Sequence, residues 1–329
     1  MAIPIRVEKR GQGTMARFKW VALILIGILL MTSTRVPASA QGKIKLVATF
    51  SILGDMVAQV GGDSVDLRVL VPAGSDPHTF EPAPADSVAL SEARLIFALG
   101  LGFEPWLADM AGASGASAKM VTVVEGIDLL PVGEHPHEGE THEGETPEAE
   151  EHGEFDPHVW HNIQNAMIMV GHIRDALITA DPDHAARYEA NAQKYLKTLQ
   201  ALDAEVVEIL NTIPENQRVL FTNHDVFQYL GARYGLRVQG VLGVTTEAAD
   251  PSAAELGDTI EAIRASGVPA IFVEAQLNPQ IIELIAREAG VEIAPDLYTD
   301  SLSDPDGDAS NYVAMMRYNA TTIAEALSQ

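Results

Sequence analysis

The fold class is decided by residues 44–62, which read IKLVATFSILGDMVAQVGG. Residues 44–50 alternate apolar and polar side chains, which is the pattern of a β-strand. Residues 53–60 then space their apolar side chains as a helix does, and Gly61-Gly62 is a helix stop signal. The stretch therefore predicts one strand followed directly by one helix.

The same order recurs along the rest of the chain. Further strands are predicted at 65–71, 95–99, 120–124, 218–222, 237–241, 270–273 and 291–294. Helices are predicted at 85–93, 103–110, 162–180, 226–234, 252–265, 279–289 and from residue 310. Strands that alternate with helices predict βαβ units and parallel sheets. We therefore expect an α/β fold with two lobes, each a parallel sheet flanked by helices.

One helix is predicted to be unusually long. Asp181 and Pro182 form a helix start, and helical apolar spacing continues as far as Pro214. This length exceeds that of an ordinary globular helix. We expect a rigid backbone helix over 181–213, joining an N-terminal lobe at 41–180 to a C-terminal lobe at 214–329.

The first forty residues have the features of a signal peptide. Arg17 and Lys19 precede an apolar run at 21–31, and Ala38-Ser39-Ala40 fits a signal-peptidase site. Since a bilayer crossing needs roughly 20 apolar residues, an uncleaved anchor is the weaker alternative. We predict cleavage after Ala40 and a periplasmic location. Met15 would start this signal as well as Met1 does.

Charge and cysteine content limit the possible functions. Residues 1–40 carry six of the 21 Lys/Arg and one of the 46 Asp/Glu, so the remainder has a formal net charge of −30. Such an acidic surface argues against nucleic acid and favours cations. The chain has no cysteine. A thiolate zinc site and lipid attachment after cleavage are therefore both excluded, which leaves His, Asp and Glu as metal ligands.

Residues 134–154 form a tract of nine Glu and four His without a basic side chain. Phe, Val, Ile and Leu are absent from it, so it cannot bury enough apolar area to offset chain entropy, and we predict a disordered loop. Two readings stay open for this histidine-rich loop. It is either a solvated spacer or a weak collector of metal ions near the binding site.

The tripeptide Asp-Pro-His occurs twice, with its imidazoles at His78 and His158. Proline stiffens each loop and keeps the preceding Asp extended. His224 follows the predicted strand 218–222, and Asp300 follows the last one. Ligands in α/β sheets gather at the carboxyl ends of strands. We expect these four side chains to converge on one metal ion, with Asp156, Asp225 and Glu274 as weaker candidates for supporting hydrogen bonds.

Several motifs resemble those of one known family. They are Pro72-Ala73-Gly74-Ser75-Asp76-Pro77-His78-Thr79-Phe80-Glu81-Pro82, Gly100-Leu101-Gly102 with Glu104-Pro105-Trp106, Asp156-Pro157-His158-Val159-Trp160, Asn223-His224-Asp225-Val226-Phe227 and Tyr298-Thr299-Asp300-Ser301-Leu302. Together they resemble the periplasmic zinc- and manganese-binding proteins of ABC importers, over essentially the whole chain beyond the leader. The resemblance implies two lobes bridged by one long helix, with metal held in the cleft. It also implies that His78, His158, His224 and Asp300 are the ligands.

Zn²⁺ is the favoured cargo, because three imidazoles and one carboxylate make a nitrogen-rich site, whereas Mn²⁺ prefers more oxygen. Manganese members of the family usually have Glu as the third ligand, where this chain has His224. We therefore predict a high-affinity zinc receptor, with a manganese receptor as the alternative. The predicted partners are a membrane permease with a separate ATPase, since no phosphate-binding loop occurs here, and a metallochaperone. We expect a monomer.

The sequence disfavours two other functional classes. A zinc hydrolase is disfavoured because His137 and His142 are five residues apart, which does not fit a metalloprotease helix, and four protein ligands leave no position for a reactive water. We therefore predict no enzymatic activity. A surface adhesin with a structural metal would lose its fold with chelation, whereas a carrier would not.

Overall fold

The computed structural model describes residue 1 and residues 42–132, 154–222, 226–240, 252–272 and 279–329. Several predictions lie outside these residues. They concern residues 2–40 of the leader, residues 134–153 of the acidic tract, His224, Asp225 and Glu274.

The strands form one larger parallel sheet and a smaller set. They are β1 Ile44–Phe50, β2 Val65–Val71, β3 Leu95–Ala98, β4 Lys119–Thr122, β5 Val219–Thr222, β6 Arg237–Gly240, β7 Ala270–Ile271 and β8 Glu292–Ile293. The first four make a sheet of order β2-β1-β3-β4. In the smaller set β5 pairs with β6 and β7 with β8, and a parallel bridge between Thr222 and Phe272 connects the two pairs. All these pairings are parallel, as predicted.

Helices follow the strands in the expected alternation. They are α1 Ser51–Gly61, α2 Pro84–Glu92, α3 Pro105–Ser114, α4 Ile163–Ala180, α5 Ala185–Leu210, α6 Gln228–Tyr234, α7 Ala253–Ser266, α8 Pro279–Ala289 and α9 Tyr312–Leu327. We call β1–β4 with α1–α4 the first lobe, and β5–β8 with α6–α9 the second lobe. Among the described residues, no helix is both long enough and apolar enough to cross a bilayer.

The first lobe is built around β1, whose last five residues are fully buried. Helix α1 follows without a loop and packs on β1 and β2. The packing is close at Gly54, where an added Cβ would lie 2.5 Å from Cγ2 of Val69. Because α1 begins immediately after β1, the carboxyl edge of the sheet is fixed at Ser51.

The predicted backbone helix is α5, which has 26 residues. It packs against α1 and α4 of the first lobe and against α9 of the second. Its regular part begins later than predicted, because Pro182–His184 form a 3-10 turn before it. Proline tolerates either kind of first turn, so the sequence did not separate them. Lys43–Gln329 group into one compact unit, and the predicted domain boundaries stay predictions.

Asp55 lies on α1 and forms hydrogen bonds to both α5 and α9. Its Oδ2 accepts a hydrogen bond from the backbone N–H of Tyr312, the first residue of α9, at 3.0 Å. The hydroxyl of Tyr195, on α5, lies 3.5 Å from the same oxygen. Burial raises the pKa of Asp55, and these hydrogen bonds oppose the rise only in part.

Candidate metal centre

His158 lies in a buried loop that fixes its imidazole. Oδ1 of Asp156 accepts hydrogen bonds from the backbone N–H of His158 at 2.9 Å and from its ring Nδ1–H at 2.7 Å. A carboxylate only accepts, so Nδ1 carries the proton and Nε2 presents its lone pair. Both side chains are almost fully buried. The predicted supporting role of Asp156 thus has a matching geometry.

The loop of His78 repeats part of this arrangement. Oδ1 of Asp76 accepts the backbone N–H of His78 at 2.8 Å, and its Oδ2 accepts the hydroxyl of Thr79 at 3.0 Å. On the outer side, the indole Nε1 of Trp106 lies 3.4 Å from the carbonyl of Pro77. The same tripeptide therefore forms the same backbone hydrogen bond in both loops.

Asp300 joins the two histidines from the second lobe. Its Oδ1 lies 3.4 Å from Nε2 of His158, and its Oδ2 lies 3.9 Å from Nε2 of His78. One donor atom from each of the three residues lies within 4.8 Å of the others. Zinc–nitrogen and zinc–oxygen bonds are about 2.0–2.2 Å long, so two ligand atoms of one ion lie at most about 4.4 Å apart, and the three donors are close to that spacing.

The segment that carries Asp300 is held by the first lobe. The indole Nε1–H of Trp160 donates to the carbonyl of Thr299 at 3.0 Å. The backbone N–H of Leu302 donates to Oγ of Ser51 at 3.0 Å. On the other side, the N–H of Gly74 donates to Oγ of Ser301 at 2.8 Å. The three ligand-bearing loops therefore support one another through hydrogen bonds.

An aromatic wall lies behind the two imidazoles, and sequence reasoning missed it. The ring of Phe103 meets His78 edge-on at 5.2 Å between centroids and His158 at 6.1 Å. Trp160 and Phe50 extend this wall, each within 5.2 Å of Phe103. The available signal was the position of Phe103 just beyond β3, at the edge where ligands gather.

A buried carboxyl shapes the loop that carries Phe103. Glu104 accepts hydrogen bonds from the hydroxyl of Thr49 at 2.6 Å and from the backbone N–H groups of Leu99 and Gly100 at 2.8 and 3.0 Å. Burial raises the pKa of Glu104, against the effect of these hydrogen bonds. Between them, Leu101 adopts a positive φ of 59°. Glu104 therefore closes this turn and orients Phe103.

The structure brings together three of the four predicted ligands, His78, His158 and Asp300. His224 lies outside the described residues, as do Asp225 and Glu274. The described residues that follow His224 reach the His158 loop: the ring of Phe227 lies 4.6 Å from His161.

His161 lies between His158 and helix α4 along the chain. It ends a 3-10 turn, Val159–His161, and is fully buried. The regular helix α4 begins only after Asn162, whose side chain accepts the N–H of Gln164. Its neighbour Trp160 contacts the imidazole of His158, which the local pattern did not indicate.

The chain is similar to known metal-binding proteins over most of its length. The family model described as the periplasmic component A of zinc-uptake complexes, ZnuA, matches residues 46–326. The chain is 32% identical over 286 residues to the manganese-binding lipoprotein MntA of Halalkalibacterium halodurans, covering 87% of this chain and 89% of that protein. It is also 30% identical over 308 residues to the iron ABC transporter substrate-binding lipoprotein MtsA of Streptococcus pyogenes serotype M1, covering 92% and 94%.

Solved structures share this architecture over most of the chain. The periplasmic zinc-binding protein TroA of Treponema pallidum superposes with a TM-score of 0.73 at 29% identity, covering 88% of this chain and all of that one. A manganese-bound periplasmic metal-binding protein of Candidatus Liberibacter asiaticus superposes with a TM-score of 0.74 at 27% identity, covering 87% and 100%. The predicted α/β fold with a long helix is confirmed.

Proposed function

Because this chain belongs to the family of the periplasmic zinc-uptake component A, we propose that it is a receptor that captures Zn²⁺ in the periplasm. Family membership makes it a metal-binding component of an ABC importer, outside the cytoplasm, and not an enzyme. The choice of zinc and the ligand set are our proposal. So is delivery of the ion to an inner-membrane permease driven by a separate ATPase.

One observation carries the proposal: two imidazole nitrogens and one carboxylate meet within 4.8 Å, each from a different loop. We propose that His78, His158, His224 and Asp300 are the four ligands. Three nitrogens and one oxygen suit tetrahedral zinc, and a shell closed by protein ligands suits carriage rather than catalysis.

Manganese is the second candidate, and the comparisons support it at least as well as zinc. Relatives are named for manganese, and one similar solved structure is manganese-bound. Almost any such site binds Zn²⁺ more tightly than Mn²⁺ in vitro, so a simple affinity ranking would not separate the two functions. The informative quantities are the metal carried in the periplasm and the ratio of the two affinities.

We therefore propose measuring both for the wild-type protein and for His224→Glu. Metal analysis of protein purified from the periplasm should find one tightly bound zinc ion per protein molecule. Chelator competition should show that His224→Glu lowers the ratio of zinc to manganese affinity, because it exchanges nitrogen for oxygen. His172→Ala is a matched control, since that imidazole bonds the carbonyl of Glu125 on another part of the first lobe. Purified protein loaded with manganese in zinc-replete medium would contradict the zinc assignment.

Location and partners extend the proposal. We propose that the leader is cleaved after Ala40. We also propose that no lipid is attached after cleavage, because none of the 329 residues is a cysteine. A monomeric receptor, loading by a metallochaperone and metal collection by residues 134–154 stay predictions.

A further inference from the structure

The phenol of Tyr229, on α6 of the second lobe, bonds to the first lobe beside the candidate metal centre. Its hydroxyl donates to the carbonyl of Asp156 at 3.0 Å and accepts the backbone N–H of Leu130 at 3.0 Å. The side chain is almost completely buried. Burial raises the pKa of Tyr229 to about 12, so the hydroxyl keeps its proton at physiological pH.

These two bonds lie at a short antiparallel contact between residues 130–132 and 154–156, which we call the neck. In the neck, Asp156 N–H donates to the carbonyl of Leu130 at 2.9 Å, and Pro131 bridges to Phe155. The neck ends where Val132 N–H donates to the carbonyl of Glu154 at 3.4 Å, at the two ends of the acidic tract. The Tyr229 hydroxyl therefore connects the second lobe to both strands of the neck.

The same bonds lead directly to a candidate ligand. The main chain of Asp156 is bonded by Tyr229, and its side chain bonds both the backbone and the ring of His158. A displacement of the Asp156 main chain would therefore turn the imidazole of His158. Of the two phenols on α6, Tyr229 is the one that bonds the main chain of Asp156.

A second tyrosine on α6 gives an internal comparison. Tyr234 is also buried, and its hydroxyl donates to Oδ1 of Asp203, on α5, at 2.8 Å. Arg233 bonds the same carboxylate. The backbone N–H of Ile163, at the start of α4, also faces this hydroxyl. The cluster therefore ties α6 to α5 and α4 and contains none of the three described candidate ligands. Both phenols are buried on α6 and form hydrogen bonds, but it is Tyr229 that bonds Asp156, the residue whose carboxylate holds the His158 ring.

We propose that Tyr229 is a positioning residue for metal binding, whose hydroxyl holds the Asp156–His158 loop against the second lobe. The inference rests on the proposed metal function, and it makes the Tyr229 hydroxyl one determinant of the affinity of the centre for metal. It predicts that metal escapes faster when the hydroxyl is removed, because His158 is then held less firmly. It also predicts little change in the association rate, because no ligand is lost.

The test compares Tyr229→Phe with Tyr234→Phe in the full chain. Each variant loses one buried hydroxyl, and each should melt at a lower temperature than wild type. Tyr229→Phe should raise the Kd for Zn²⁺ about tenfold, the lower end of the effect of losing a supporting hydrogen bond around a ligand. Tyr234→Phe should leave the Kd within about twofold. Chelator competition and stopped-flow dissociation would be measured where circular dichroism shows both variants folded.

A readout without metal separates this inference from the proposed function. In chelator-stripped protein, ¹⁵N NMR of the imidazoles should show His158 protonated at Nδ1 in wild type and Tyr234→Phe. In Tyr229→Phe it should show a mixture of tautomers. Equal Kd values for all three proteins, or equal losses in both variants, would overturn the positioning role. If wild type bound no divalent metal, the proposed function would fail, and an unchanged tautomer in Tyr229→Phe would overturn the inference on its own.

Discussion

The two Asp-Pro-His loops share one tripeptide but differ in their surroundings. Both use the Asp carboxylate to accept the histidine N–H. The imidazole of His158 is only 6% exposed and also donates to Asp156, whereas that of His78 is 26% exposed. One motif can therefore supply two kinds of ligand. His158 is a fixed, buried donor, and His78 lies on the solvent side of the centre.

The comparison predicts unequal losses when each imidazole is removed. Four-ligand zinc sites are worth roughly 10–16 kcal/mol, so one ligand accounts for about 3 kcal/mol, or about two orders of magnitude in Kd. His158→Ala should reach or exceed this value, because a buried site gives no ready access to a substituting water. His78→Ala should cost about tenfold less, since water can occupy the more open position.

Chelator competition with zinc would check this order, with His172→Ala as the control for losing an imidazole elsewhere. Equal losses in His78→Ala and His158→Ala would remove the distinction between the two loops.

Replacing the two carboxylates sharpens the same contrast with a smaller effect. Asp156→Asn can no longer accept both the backbone and the ring N–H as an anion, so the Kd for zinc should rise 10- to 100-fold. Asp76→Asn keeps an oxygen for the backbone N–H of His78 and should raise it less than about threefold. Zinc titration of both variants and of wild type, in competition with a chelator, would measure the three Kd values. A larger loss in Asp76→Asn would reverse the roles assigned to the loops.

Much of this arrangement could be predicted from local patterns. The strand Val65–Val71 and the helix Pro279–Ala289 match their predicted bounds, because strong periodicity and a clear boundary coincide there. His78 and His158 were found because a stiff tripeptide repeats. Phe103, Glu104 and Tyr229 were missed as contributors because their roles depend on contacts between distant segments. Nothing local indicates that Glu104 is buried or that Tyr229 reaches Asp156.

The aromatic wall offers a weaker test of the contrast. Phe103 lies closer to His78 than to His158, by centroid distances of 5.2 and 6.1 Å. Phe103→Leu should destabilise the fold by about 1 kcal/mol, as a nearly volume-conserving core change does. It should also free the His78 ring to move, which weakens zinc binding a few-fold. Combined with His78→Ala, the substitution should add little further loss of affinity, because its partner is then gone. Full additivity in this double-mutant cycle would argue against the contact.

Replacing Asp55 shows whether zinc affinity depends on the carboxylates of the two loops alone or also on a carboxylate of the scaffold. Burial raises its pKa above the ordinary 3.8, so the folded state binds this proton more tightly than the unfolded state does. The contribution of Asp55 to the stability of wild type should therefore fall as pH rises from about 4 through the raised pKa, and then level off. Asp55→Asn should lack this decline in urea unfolding series at successive pH values. Its Kd for zinc should stay within about twofold of wild type, because the hydrogen bonds of Asp55 run to residues of α1, α5 and α9. A large loss of zinc affinity in Asp55→Asn would mean that the scaffold, and not the two loops alone, sets the geometry of the centre.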